Sequence, residues 1–288
     1  MHPHPPAHRR QTHEVYRLRR AIGATAVVVL VFSVVQLTGM AGGGGGDEAA
    51  TTTTVAVTTT TIPPPPECVE GDLQALGDAA NDWATVLVDT QRSIPSFYEP
   101  NDLRNIADAG FPLTDGVAVR ALVVDDLRAL RQAAIDDGTP IGILAAFRSF
   151  AQQQDLYDRR VDELGASEAG SRVARPGHSE HQLGTTIDVA TEGDTDVDQT
   201  WGSSPTGQWI ATNAHKYGFL LSYPMEAQGR TCYDFEPWHL RYVGRELAAD
   251  VIASGLTLRE YLWQLNPAQP VATTTTTTTT TTAAPSAP

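Results

Sequence analysis

Two short polar segments, about fifty residues apart, set the strongest condition on how this chain can fold. One reads PGHSEHQLGTTID (residues 176–188) and the other EPWH (residues 236–239). Together they offer the imidazoles of His181 and His239 and the carboxylate of Asp188, with Glu236 to spare. A catalytic zinc site asks for such a set: three protein ligands, an open fourth position for water, and a carboxylate to move its proton. For the groups to meet, two distant segments must come side by side and each must bend. Residues an odd number apart face opposite sides of a flat strand, so His181 and Asp188 cannot converge on one. Gly184 lies between them and permits a bend. Residues 185–189 then read as a short strand, with Thr186 and Asp188 on one side and Ile187 and Val189 toward the core. Glu236 and His239 are also an odd number apart, and Pro237 interrupts regular strand pairing there. This spacing permits a shared cation without requiring one, and separate structural roles for each group fit it as well.

The rest of the chain limits where a core can form. Residues 1–20 carry Arg9, Arg10, Arg17, Arg19 and Arg20 against one acid, Glu14, and read as a solvated basic tail. Residues 21–40 are uncharged and mostly apolar, about the length that crosses a bilayer. The arginines before them hold that side in the cytoplasm, so the expected arrangement is a single-pass membrane anchor with everything later outside. The rival is a cleaved signal peptide; LTGMA (residues 37–41) is a poor cleavage site for one, and the run is long for its apolar region. Residues 41–66 are Gly-, Thr- and Pro-rich, an extended linker that cannot build a core. Residues 269–288 are Thr-, Ala- and Pro-rich and read as a disordered tail. That leaves residues 67–268 as one domain, long enough for a sizeable core.

The chain has 20 Lys+Arg against 34 Asp+Glu, and the basic tail takes five of the former and one of the latter. A surface this acidic excludes nucleic acid as a partner. Cys68 and Cys232 are the two cysteines. Outside the membrane, in an oxidising compartment, an even pair suggests a disulfide. It would tie the start of the domain to the approach to Glu236, and a loop that long stabilises by about 4–5 kcal/mol in the chain-entropy treatment. The other reading, Cys232 as a metal ligand, is redundant beside the His and Asp donors.

Local patterning alternates between helix and strand. Leu73, Leu76, Ala80, Trp83 and Leu87 recur at three- and four-residue steps, which predicts an amphipathic helix. Val123, Leu127, Leu130 and Ala134 predict a second, ended near Gly138. Residues 94–100 are Pro-punctuated and extended, and residues 140–147 read as a buried strand. Helices are expected over residues 150–164, 207–217, 245–254 and 258–265, with a strand over 219–223. The fold class expected is α+β: a small, mainly antiparallel sheet carrying the site, with flanking helices.

Several ordered motifs carry a family resemblance. SEHQLGTTID (residues 179–188) resembles the S-x-H-x-x-G-x-A-x-D signature of the VanY-like D-alanyl-D-alanine carboxypeptidases, zinc peptidases of the M15 family. EPWHLRYVG (residues 236–244) is similar to that family's second signature. FRSFAQQ (residues 147–153) resembles its Y-R-S-Y-x-x-Q, and YGFLLSYP (residues 217–224) its Y-G-F-I-L-R-Y-P. Residues 87–103 look like its opening segment and residues 256–262 its closing helix. The sequence departs from the pattern at Thr186, where Ala is usual, and at Ser222, where Arg is usual.

The resemblance implies the fold shared by these peptidases and the hedgehog signalling domain. It implies one Zn2+ per domain, held by His181, Asp188 and His239, with Glu236 as general base. Arg148 would receive the free carboxylate of a substrate, since its planar fork donates two parallel hydrogen bonds. Ser149, Gln153 and Ser179 are further candidates for substrate contact. His178 and His215 read as supporting or surface residues, and Trp238 as packing. The implied activity is removal of the C-terminal D-Ala from peptidoglycan stem peptides outside the membrane. The alternatives are an L,D-carboxypeptidase or D,L-endopeptidase of the same family, or a zinc-stabilised cell-wall binding module without turnover.

Overall fold

The structure, a computed structural model, describes residues 53–61, 64–225, 227–265 and 272–280. They fall into two units. In the smaller, the strand Thr53–Thr61 pairs antiparallel with Ala272–Thr280, with Thr53 opposite Thr280 and Thr61 opposite Ala272. Sequence patterning makes these stretches part of an extended linker and a disordered tail. Threonine is β-branched and favours extended backbone, and two such runs satisfy each other's N–H and C=O groups. The basic tail and the apolar run 21–40 lie outside the described residues. Among the described residues, no helix is long and apolar enough to cross a membrane.

The larger unit is organised by four antiparallel strands: β1 (Ile141–Ala145), β2 (Thr186–Thr191), β3 (Phe219–Leu221) and β4 (His239–Tyr242), in the order β1-β2-β4-β3. The expected α+β class, with a small antiparallel sheet, is the one observed. Helix α1 (Val124–Asp136) buries Leu127, Leu130 and Ala134, one face at helical spacing. That face packs against Ile141, Ile187, Val189, Phe219, Leu240 and Tyr242 from all four strands. Ile187 and Val189 thus turn to the core, as the alternation in β2 requires. Helix α2 (Phe150–Leu164) opens on a capping box, Ser149 with Gln152. Helix α3 (Pro205–Asn213) starts with Ser204 as cap and Pro205 in its first turn. Helices α4 (Arg245–Ser254) and α5 (Leu258–Leu265) close the unit as expected.

The helix expected over residues 73–87 does not form. Leu73–Gln74 pairs parallel with Arg92–Ser93, and Leu76 bridges Leu87. Gly77 has φ +102, outside the helical range, and the Asp78 carboxylate accepts from Ala80 N–H and Asn81, which stabilises a turn. Of the residues that carry the helical spacing, Leu73 is exposed and Trp83 packs against the main core; a different set packs beneath the site. Ala79, Val86, Val88 and Ile94 surround Leu183, beneath the short 3-10 helix Glu180–Leu183. The N-terminal segment therefore supports the turn that carries His181.

The disulfide Cys68–Cys232 is formed, with its Cα atoms 5.0 Å apart. Arg259 of α5 clamps the same junction. It pairs with buried Asp89 at 2.9 Å and donates to the carbonyls of Pro66 and Arg230, both at 3.1 Å.

Candidate metal centre

Strand pairing places two of the expected ligands face to face. Asp188 of β2 stands directly opposite His239 of β4. His181 arrives from the 3-10 helix Glu180–Leu183, which ends at Gly184 in the left-handed region, φ 70. A Cβ on Gly184 would stand 3.0 Å from Arg120 Cγ and 3.1 Å from Pro100 Cγ, so this bend has no room for a side chain. One ligand atom from each of His181, Asp188 and His239 lies within 4.8 Å of the others.

The hydrogen bonds decide which nitrogen of each imidazole faces the centre. His181 Nδ1 lies 2.7 Å from the Ala146 carbonyl, which can only accept, so Nδ1 carries the proton. Its Nε2 is left to face Asp188 Oδ2 at 3.3 Å. Burial holds the His181 pKa down and so favours the neutral ring. His239 is the other way round. Its Nε2 lies 3.0 Å from Glu180 Oε2, and its Nδ1 lies 3.4 Å from both Asp188 Oδ1 and Glu236 Oε2.

Asp188 Oδ1 is buried and has no hydrogen-bond partner, although burial opposes leaving a carboxylate oxygen bare. Despite that burial, His181 and His239 hold the Asp188 pKa far below the ordinary range. An ionised carboxylate with Oδ2 3.3 Å from His181 Nε2 and the unpartnered Oδ1 3.4 Å from His239 Nδ1 fits a divalent cation. Two nitrogens and one oxygen suit zinc.

Glu236 reaches the centre through a tight turn. His239 N–H donates to the Glu236 carbonyl at 3.2 Å across Pro237, which is preset for such a turn. Burial raises the Glu236 pKa to about 8; Asp188 and Glu180 add to the rise, and His239 and Arg148 oppose it. Burial also disfavours the charged form of His239, but the neighbouring carboxylates of Asp188, Glu180 and Glu236 outweigh it and push its pKa up to about 10. These are values of the centre without a cation.

Arg148 follows β1 and stands 4.0 Å from Asp188 Oδ2. Gln153, one turn into α2, accepts from Arg148 Nη1 at 2.9 Å and donates to the Ala174 carbonyl at 2.6 Å. It holds the guanidinium in place. Ser149 caps α2, and Ser179 accepts from His181 N–H at 3.3 Å, so both hydroxyls also have local partners. His178 is buried against the Asp89 carbonyl, and Trp238 packs against the main core. Thr186 donates its hydroxyl to the Glu180 carbonyl at 3.1 Å, which ties β2 to the turn before it.

Sequence reasoning missed the layer behind His239. Glu180, Ser222 and Arg241 are buried there, and Tyr223 lays its ring 4.7 Å from the His239 ring. One signal was available: Arg241 is two residues after His239, so in a strand both point the same way. Nothing local linked either to Glu180.

Several known proteins are similar to this chain. The VanY family, D-alanyl-D-alanine carboxypeptidase, matches residues 116–245. YodJ of Bacillus subtilis (strain 168) is 36% identical over 179 residues, which is 61% of this chain and 65% of YodJ. The chain thus spans just under two thirds of that relative's length. The structure of the LdcB LD-carboxypeptidase is similar at TM-score 0.57 and 35% identity, covering 62% of this chain and 85% of LdcB. A vancomycin-resistance D,D-pentapeptidase, VanY, solved in complex with Zn(II), is similar at TM-score 0.53 and 31% identity, over 62% of this chain and 99% of that one.

Proposed function

This chain belongs to the VanY family of D-alanyl-D-alanine carboxypeptidases, and from that premise we propose that it removes the C-terminal D-Ala from peptidoglycan stem peptides as a zinc carboxypeptidase. The observation that carries the reading is the convergence of His181 Nε2, His239 Nδ1 and the bare Asp188 oxygen, with Glu236 Oε2 3.4 Å from His239 Nδ1.

Zinc held by His181, Asp188 and His239 would supply Lewis-acid activation of water and of the scissile carbonyl. The remaining steps belong to the chain's own groups. Glu236 takes the proton from the attacking water and passes it to the leaving amine nitrogen. Arg148, steadied by Gln153, binds the free terminal carboxylate of the peptide and so selects for cleavage at the last residue. A binding module without turnover has no use for Glu236 in this position.

A second reading, an L,D-carboxypeptidase acting on tetrapeptide stems, is favoured by the likeness to LdcB. The proposed setting is extracytoplasmic. What supports it is the uncharged run 21–40 behind five arginines, with the stem peptide lying outside the membrane. The test is amino-acid release from penta- and tetrapeptide stems, with and without chelator. D-Ala release from pentapeptide, abolished by chelator and restored by zinc, is expected. Release from tetrapeptide alone would replace the D,D reading with the L,D one, and release from neither by a zinc-loaded protein would end both.

A further inference from the structure

Behind His239 lies a buried relay that the proposed chemistry does not use. Glu180 Oε2 accepts from His239 Nε2 at 3.0 Å and from the Ser222 hydroxyl at 2.5 Å, and Oε1 accepts from Arg241 Nη1 at 2.9 Å. Arg241 is fully buried. Its Nη2 donates to the carbonyls of Val86 at 2.8 Å and Trp83 at 3.2 Å.

We propose that Glu180 is a positioning residue that fixes which nitrogen of His239 meets the cation, and that Arg241 anchors it to the N-terminal segment. The inference rests on the metal-site reading above. Its physical basis is that the two imidazole ligands present opposite nitrogens. His181 offers Nε2 because its Nδ1–H is committed to the Ala146 carbonyl. His239 must offer Nδ1, so something has to hold the proton on Nε2. An ionised carboxylate accepts and cannot donate, so Glu180 does this directly.

The carboxylate must also stay put. Two further donors saturate it, and Arg241 is fixed by two backbone carbonyls on the far side. Those carbonyls belong to residues 83 and 86, upstream of the region matched by the family, residues 116–245. The segment that packs beneath the His181 turn therefore also steadies the second imidazole, through Arg241 and Glu180. One stretch of chain outside the matched region supports both.

The rival is a buried Glu–Arg pair that serves folding alone. Three measurements on the full chain separate the two. In native protein loaded with zinc, histidine 15N NMR should show the proton on Nε2 of His239 and on Nδ1 of His181; the reverse assignment for His239 overturns the proposal. Glu180→Gln should weaken zinc binding, read by chelator competition, by roughly 10–100-fold and change the visible spectrum of the Co(II)-substituted protein. Native affinity with a native cobalt spectrum in that variant overturns it. Should Glu180→Gln fail to fold, Ser222→Ala keeps the Glu–Arg pair and removes one donor from the same oxygen. It should lose about 2–5-fold in zinc affinity, and unchanged affinity overturns the proposal. A native protein that takes up no zinc would sink the metal-site reading itself, a distinguishable result.

Discussion

Replacing both cysteines, Cys68→Ala with Cys232→Ala, should separate the stability of this domain from its metal chemistry. The bond joins residues 164 apart in sequence. Closing a loop of that length in the unfolded chain is worth about 5 kcal/mol in the chain-entropy treatment. The folded side of the balance should change little, because the junction has a second clamp. Arg259 donates to Pro66 and Arg230, each two residues from a cysteine, and pairs with Asp89 at 2.9 Å. Cys68 is exposed, so its loss opens no cavity, and buried Cys232 gives up only one sulfur atom. Nearly all the cost then falls on the unfolded state. For a domain of this size each kcal/mol moves the melting temperature by about 2–4 °C, so the expected drop is about 10–20 °C. Calorimetry of the zinc-free proteins measures it, and zinc affinity should stay within about twofold of native. A drop under about 3 °C would refute the argument that the bond acts on the unfolded chain. A large loss of zinc binding would refute the claim that Arg259 keeps the junction in place.

Four further outcomes are expected. Glu236→Gln should retain zinc and lose about 10²–10⁴ in kcat, measured by D-Ala release, because the group that moves the proton is gone. Arg148→Lys keeps the charge but not the fork, so KM for D-Ala-terminated peptide should rise while a dipicolinate competition assay finds zinc affinity unchanged. Without a cation, Glu236 and His239 titrate at about 8 and about 10, both above neutrality. Zinc must displace the proton on His239 Nδ1, so affinity should rise with pH up to about 10. Calorimetry in two buffers should find roughly one to two protons released at pH 7. Gly184→Ala puts a Cβ 3.0 Å from Arg120 Cγ at φ 70, and thermal melts should show a cost of about 1–3 kcal/mol.

How much was legible depends on whether the information was local. The helix over 124–136 follows from the apolar spacing of Val123, Leu127, Leu130 and Ala134 and its end from Gly138, and helices form over 150–164 and 245–254 where expected. The strand carrying Asp188 follows from alternation, and the bend before it from Gly184. Residues 73–87 show the opposite case. Helical spacing there is real, yet Gly77 and the turn at Asp78 break the helix, and the side chains that pack against Leu183 a hundred residues on are others, Val86 and Val88 among them. The threonine runs have no core of their own to build, and each supplies the other with a pairing edge.

By itself, the sequence determined the donor types, their order and the bends that let them converge. Two imidazoles, an aspartate and a spare glutamate allow few chemistries, and glycine and proline at the intervening positions act on the backbone next to them. Only the tertiary structure decided which nitrogen of each imidazole faces the cation and how basic Glu236 becomes. Those depend on partners such as the Ala146 carbonyl, Glu180 and Arg241, brought in from distant segments, and on a burial that the assembled domain creates. Electrostatics at this centre acts through space, largely between groups far apart along the chain, so local pattern carries little of it.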